Sequence, residues 1–417
     1  MQTSTKWENV KLGDVADVTS SKRIFASDYV PDGIAFYRSR EVIEKNKGNN
    51  ISTELYISKE KFESIKKKFG APKKNDLLIT SVGTLGVPYL VKENETFYFK
   101  DGNLIWFRHF DESKVVPQFV YYSIVSPDTQ KRLKGISIGS SQGAFTISAI
   151  KEFVISFPDL SNQKQIVDVL SAYDDLIDNN KRRIKILEET AQKIYTEWFV
   201  NFKFPEHEKV KMVDSGTEFG MIPEGWEVKR LDTVAKINSE NIKSGKNSEI
   251  ISYVDIAAVS TGKIDSVLVT NFMDAPSRAR RILRHGDIVW STVRPNRKSY
   301  SLVINPPENL VGSTGLAVLR ATTVPSSYLY QFVTSENFVS YLVSRAQGAA
   351  YPAVRGDDFG NAQILIPTSK LTEMLDALCE PIIIQISTLQ KQNRILGETR
   401  DLLIPKLLTG KRELKST

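Results

Sequence analysis

The sequence predicts an α+β protein built twice over. Two tandem duplicated α+β domains are each followed by a long helix, and the two helices pair as an antiparallel coiled coil in a pseudo-twofold arrangement. Three observations predict this. Residues 163–198 place apolar side chains at Ile166, Leu170, Tyr173, Ile177, Ile184, Leu187, Ala191, Ile194 and Trp198, in alternating steps of four and three once Asn180 is counted. That spacing is a heptad seam, narrower than the stripe of a globular helix, and it needs a partner helix. The string ILEET at 186–190 recurs as ILGET at 395–399, a shift of 209. Other pairs recur in the same order at shifts drifting from 205 to 219, as a duplicated unit with variable loops and a fixed helix requires.

Taken in order, residues 1–160 form the first domain. Strand-like runs fall at 77–83, 88–91, 96–99 and 103–107, helical patterning at 59–68 and 117–134, and a closing strand at 153–158. The first long helix occupies 161–200. A roughly 54 Å rod follows from 1.5 Å per residue over the seam. Residues 201–221, mixed in charge, Gly and Pro, are a connector. The second domain, 222–368, repeats the plan: Trp7-Glu8 is echoed by Trp226-Glu227, Asn75-Asp76-Leu77-Leu78 by Gly286-Asp287-Ile288-Val289, and Gln142-Gly143-Ala144 by Gln347-Gly348-Ala349 at a shift of 205. Residues 369–417 supply the second long helix and a tail. Its lattice carries Leu375, Cys379, Ile382, Ile386, Leu389, Leu396 and Leu403, with polar Asn393 and Arg400. Setting Asn180 opposite Asn393, because an unpaired buried amide costs about 1–3 kcal/mol, places Ile184 on Leu389, Leu187 on Ile386 and Ile177 on Leu396. Pro381 and Pro405 are expected to kink or end the second helix.

Composition narrows the chemistry. The chain has 417 residues, 41% hydrophobic and 25% charged, too long for one core. No apolar run approaches the roughly 18 residues of a membrane span, and the opening residues lack a signal-peptide core, so the expectation is a soluble, cytoplasmic protein without membrane partners. One cysteine, Cys379, and three scattered histidines, His109, His207 and His285, offer no disulfide, no metal-ligand spacing and no catalytic triad. No phosphate-binding GxxxxGK[ST] loop is present. Asn305-Pro306-Pro307-Glu308 approaches the Asn-Pro-Pro-aromatic loop of amino-methyltransferases, but Glu stands where a stacking ring is needed. The expectation is a binder with no catalytic residue, no metal and no cofactor of its own.

The net charge is +7, divided as +4 over 1–160, −2 over 161–221, +3 over 222–368 and +2 over 369–417, so the excess sits mainly on the two domains and suits a polyanion. DNA is read by forked or amide side chains on loops and held by cations. In the first domain the candidates are Lys22, Arg23, Arg38, Arg40, Lys67, Lys73, Lys74 and Gln142. In the second they are Arg278, Arg280, Arg281, Arg284, Arg294, Asn296, Arg297, Lys298, Gln347, Tyr351 and Arg355. The glycines beside Gln142 and Gln347 would let the backbone approach a duplex closely.

With these residues in place the chain resembles the specificity subunits of type I restriction-modification systems. The marks are the W-E-x-V-x-L-G-D-V-A opening, the N-D-L-L-I and G-D-I-V runs, the Q-G segments, the first long helix and the closing QNRILGETRDLLIPKLLTGK, with Asn75 standing where Gly is commoner. The resemblance implies two target recognition domains, each reading one half of a bipartite site on double-stranded DNA, with the helix pair fixing the spacer. It also implies docking of two methyltransferase subunits and of restriction/translocase subunits. S-adenosylmethionine, ATP and Mg2+ would belong to those partners. Two other classes are weighed beside it: a stand-alone DNA-modifying enzyme, and a coiled-coil scaffold without DNA specificity.

Overall fold

The computed structural model describes residues 6–46, 48, 51, 53, 55–139, 143–242 and 249–410, and it divides into two compact units, Met1–Asn179 with Asn393–Thr417, and Asn180–Gln392.

In the first unit, the run Leu77–Thr80 is buried on both faces and is one of the two inner strands of a four-stranded sheet. The order is Asp17–Thr19, Leu104–Arg108, Leu77–Thr80, Pro88–Leu90, with every neighbour antiparallel. Strand Leu77–Thr80 starts where it does because Asn75 turns the chain at φ +70° and the buried Asp76 carboxylate accepts from the Lys73 N–H at 3.1 Å and from Trp106 Nε1 at 2.8 Å. Burial raises the pKa of Asp76, the largest influence on it. A second sheet, Tyr29–Val30, Tyr56–Ile57, Ile34–Tyr37 and Phe97–Phe99, joins its last two strands in parallel. Strand Glu8–Lys11 pairs with Val154–Phe157 beside the start of the first long helix. The predicted helix at 117–134 is two helices, Pro117–Val125 and Pro127–Gly135, because Pro127 cannot donate to the ladder and Ser126 caps the second through the Thr129 N–H at 3.3 Å.

The second unit repeats the strand order of the first sheet and varies that of the other. Its inner sheet runs Ala235–Ile237, Leu316–Ala321, Ile288–Ser291, Tyr300–Leu302; its other sheet runs Leu268–Asn271, Ile250–Val254, Leu310–Ser313, Ala279–Ile282, again with one parallel pair. Strand Glu227–Arg230 pairs with Gln363–Ile366 as Glu8–Lys11 does with Val154–Phe157. Gly286, at φ +83°, takes the place of Asn75, and Asp287 accepts from the Arg284 N–H at 2.7 Å and from both prongs of Arg320. Glycine, and asparagine among the other residues, tolerates this left-handed turn, which accounts for both residue types at the motif. The connector holds a short hairpin, Met212–Asp214 with Met221–Pro223.

The long helices run Leu160–Tyr195, ending in a π-helical turn Thr196–Val200, and Ser369–Leu407. The second helix ends at Leu407, two residues past Pro405, as expected, but it runs through Pro381 without ending there. Core packing on both sides of Pro381 holds it. In the first unit Ile166, Val167 and Leu170 share a core with Leu403, Ile404 and Leu407. In the second, Ala191, Ile194, Tyr195 and Trp198 share one with Leu375, Cys379 and Ile382. The helices therefore pair antiparallel within each unit. Among the expected seam residues Leu389 and Asn180 are buried, and Ile177, Ile184, Leu187, Ile386, Asn393 and Leu396 are half-buried. Asn180 is the first residue of the second unit and Asn393 opens the C-terminal segment of the first. Polar Arg400 finds its answer in the first unit: it pairs with Asp174, which also accepts from the Tyr122 hydroxyl at 2.6 Å, and with Asp401 at 2.8 Å. The flanking carboxylates raise the Arg400 pKa above its ordinary value despite burial, which acts to lower it. No described helix is long and apolar enough to cross a membrane.

Candidate nucleic-acid interface

Strand Ile288–Ser291 leads through Thr292 and Val293 into a 3-10 turn, Pro295–Arg297, flanked by Arg294 and Lys298, both left-handed at φ +53°. Residues 347–353 fold against this turn. Val293 and Gln347 each bridge Ala353, the Arg294 N–H donates to the Pro352 carbonyl at 2.7 Å, and the Val354 N–H donates to the Thr292 carbonyl at 2.9 Å. On that frame the Arg294 guanidinium lies 4.7 Å from the centre of the Tyr351 ring, and its Nη2 donates to the Ala350 carbonyl at 3.1 Å. The ring is 69% exposed. Asn296, Arg297, Gln347 and Arg355 are exposed on the same two loops, whereas Lys298 is tied to Glu336 at 2.5 Å.

The first unit builds the same frame without cations. Val82 and Ile138 each bridge Ala144, and the Phe145 N–H donates to the Ser81 carbonyl at 2.9 Å. Gly83 at φ +76° and Gly86 at φ +74° hold the left-handed positions that Arg294 and Lys298 hold in the second unit, at shifts of 211 and 212. Gly139, at φ +99°, corresponds to Gly348 at φ +102°. The bridges and this turn align the loops at a shift of 209, which corrects the expected 205. The Gln-Gly-Ala triplet repeats by letter, but the paired backbone sets the equivalence, so Ile138 matches Gln347 and Ala144 matches Ala353. Gln142 lies outside the described residues. A Cβ on Gly143 would come within 3.0 Å of Leu85, and one on Gly348 within 3.1 Å of the Tyr351 carbonyl, so each glycine serves the packing of its own loop.

The remaining candidates are spread more widely. Arg284 is paired to Glu240 at 2.8 Å and Arg278 lies 3.7 Å from Asp255. Arg280 stacks on Phe272 at 5.1 Å; half-buried Arg281 donates to Asn241 at 3.0 Å, and burial lowers its pKa. In the first unit Arg23 pairs with Asp101 at 2.8 Å, Arg38 and Arg40 share the buried Glu41, and Lys74 pairs with Glu93 at 2.9 Å. Lys67 and Lys73 are exposed. Lys22 Nζ lies 5.2 Å over the Phe69 ring, which is 46% exposed. Phe69 and Phe272 escaped the sequence reading, since nothing in a run of letters says which aromatic a cation will cover. Among the described residues no group of His, Cys, Asp or Glu is arranged to hold a metal ion. The loops present forked donors, amides and an aromatic face, which is chemistry for reading and holding a polyanion.

Comparison with known proteins gives the same picture at larger scale. Residues 4–189 match the family model described as the type I restriction modification DNA specificity domain. The MjaIX specificity subunit of a type I restriction enzyme from Methanocaldococcus jannaschii is 26% identical, over 97% of this chain and 93% of the relative. The MjaVIII specificity subunit from the same organism is 24% identical, over 98% and 94%. The crystal structure of the S subunit of a type I restriction-modification system from M. genitalium covers 100% of this chain and 98% of its own, with a TM-score of 0.58 at 15% identity, and so shares the fold. The matches agree with one another: residues 4–189 match the DNA specificity domain, and over nearly its whole length the chain is similar to type I restriction enzyme specificity subunits.

Proposed function

We propose that this chain binds a bipartite site on double-stranded DNA, one half-site per recognition domain, and brings partner subunits to it. The observation that carries the reading is that one loop frame occurs twice with unlike chemistry, glycines in the first domain and cations in the second. Two copies of one scaffold with different reading groups suit two different half-sites. The helix pair, a rod of roughly 54 Å against a DNA turn of about 34–36 Å, suits half-sites about one turn apart or slightly more. Two methyltransferase subunits and restriction/translocase subunits would dock on it and carry S-adenosylmethionine, ATP and Mg2+. The base readers in this reading come from the candidate loops, with Arg294, Asn296, Arg297, Gln347 and Tyr351 foremost.

The test is selection of bound duplexes from a random library by the purified full chain, repeated at rising salt. A split motif with a fixed spacer, and an affinity falling steeply with salt, is expected. Recovery of no motif, with salt-independent binding, would leave a protein scaffold as the better account. Replacing Ile184 and Leu187 by glycine should blur the spacer more than the half-site bases; altered bases at an unchanged spacer would contradict the ruler.

A further inference from the structure

We infer that Arg294 is the residue through which the second recognition domain reads a guanine, with Tyr351 as the shelf that aims it; this rests on the DNA-specificity reading above.

The argument starts from backbone. Position 294 must be left-handed, because the bridge from Val293 to Ala353 and the 2.7 Å bond from the Arg294 N–H to Pro352 fix the turn there. The first domain meets the same demand with Gly83, for which the conformation carries no steric penalty. An arginine at φ +53° is strained, and strained backbone of this kind gathers at functional sites. The side chain is what the second domain gains by it.

The geometry then says what that side chain can do. Stacking on Tyr351 holds the guanidinium plane, and the bond from Nη2 to Ala350 fixes its rotation. One contact to a carbonyl leaves other N–H groups of the five-donor fork available, and no carboxylate is paired with Arg294 among the described ion pairs. A pre-aimed fork beside an exposed ring matches the two acceptors, N7 and O6, that guanine presents in the major groove. Lys298, the other cation at a glycine-equivalent position, is occupied by Glu336 and serves the turn instead. Gly83 and Gly86 offer no such group, so the guanine belongs to the second half-site alone.

The experiment compares wild type with Arg294→Gly, Arg294→Lys, Tyr351→Phe and Tyr351→Ala, each as full chain, in random-duplex selection. Arg294→Gly copies the first domain's own solution, so its thermal midpoint should be unchanged or raised. One guanine of one half-site should become degenerate in that variant, with the other half-site and spacer intact. On the wild-type site its binding should fall roughly 5- to 150-fold, the range for one bidentate pair. Arg294→Lys should relax the same base while keeping the charge, Tyr351→Phe should preserve it, and Tyr351→Ala should weaken it. Equal loss on specific and random duplexes would make Arg294 a phosphate contact and overturn the inference, as would an unchanged motif. If wild type itself selects no motif, the DNA-specificity reading fails first and the inference falls with it.

Discussion

Single residues in this chain are explained by the backbone they must adopt. Asn75 and Gly286 sit at one turn of a duplicated motif, both left-handed. Asn75→Gly should therefore be close to neutral, offset only by the lost bond from Gln118 Nε2 at 2.9 Å, while Asn75→Val should cost about 1–2 kcal/mol in urea unfolding. Glu188 makes a different prediction. Burial, then the neighbouring Glu189, raises its pKa to about 7. It lies in the second unit against Gly262, where an added Cβ would come within 2.7 Å of its Oε1, with Tyr300 and Tyr330 nearby and the Gln390 amide donating to the Gly262 carbonyl at 3.0 Å. The folded chain then holds this proton more tightly than the unfolded chain does. The stability it supports is present at low pH and is lost as pH rises from about 4.5 through about 7. Glu188→Gln should thus gain about 1–2 kcal/mol over wild type at pH 8 and almost nothing at pH 4.5, as read by denaturation at the two pH values. A gain that does not change with pH would mean that Glu188 titrates in the ordinary carboxylate range. Residue types at the candidate loops were legible in the sequence, including Arg294 and Tyr351. Their meeting was not, because it depends on bridges between segments nearly sixty residues apart.

At the scale of elements, the seam of the long helices could be read from period alone, and so could the burial of Leu389. Proline was half informative: the helix ends at Leu407, two residues past Pro405, but it does not end at Pro381. Pro381 sits inside the helix Ser369–Leu407, where Cys379 and Ile382 pack on either side of it. The inner strand Leu77–Thr80 was also legible, whereas strands of two residues such as Tyr29–Val30 and Tyr56–Ile57 carry no period to detect. The polar lattice position Arg400 supplies an element-scale test. Removing its partner by Asp174→Ala leaves a partly buried guanidinium and the Tyr122 hydroxyl short of an acceptor. The expected loss is about 2 kcal/mol, below the 3–5 kcal/mol of a fully buried pair because Arg400 keeps Asp401. Replacing both Asp174 and Arg400 by leucine should recover much of it. A single variant with unchanged stability would show that the pair does not hold the helices.

For the whole molecule, the recurrence of strings at shifts near 209 disclosed the duplication, and the two inner sheets repeat one strand order. Letters failed only where loops differ, since the Gln-Gly-Ala triplet misaligned by four residues what the left-handed Gly139 and Gly348 align. The modest charge of +7 is divided mainly between two domains, so binding should be salt-sensitive without being indiscriminate. The central claim, that one chain gives a modification complex its split DNA target, is tested most directly by single-molecule methylome sequencing of the host. It would be sequenced before and after deletion of this chain, and again with the chain restored as wild type or as Arg294→Gly. The account predicts that methylation of one bipartite motif vanishes on deletion and returns with wild type. With Arg294→Gly it should return relaxed at a single guanine of one half-site. A methylome unchanged by deletion and by restoration would contradict it.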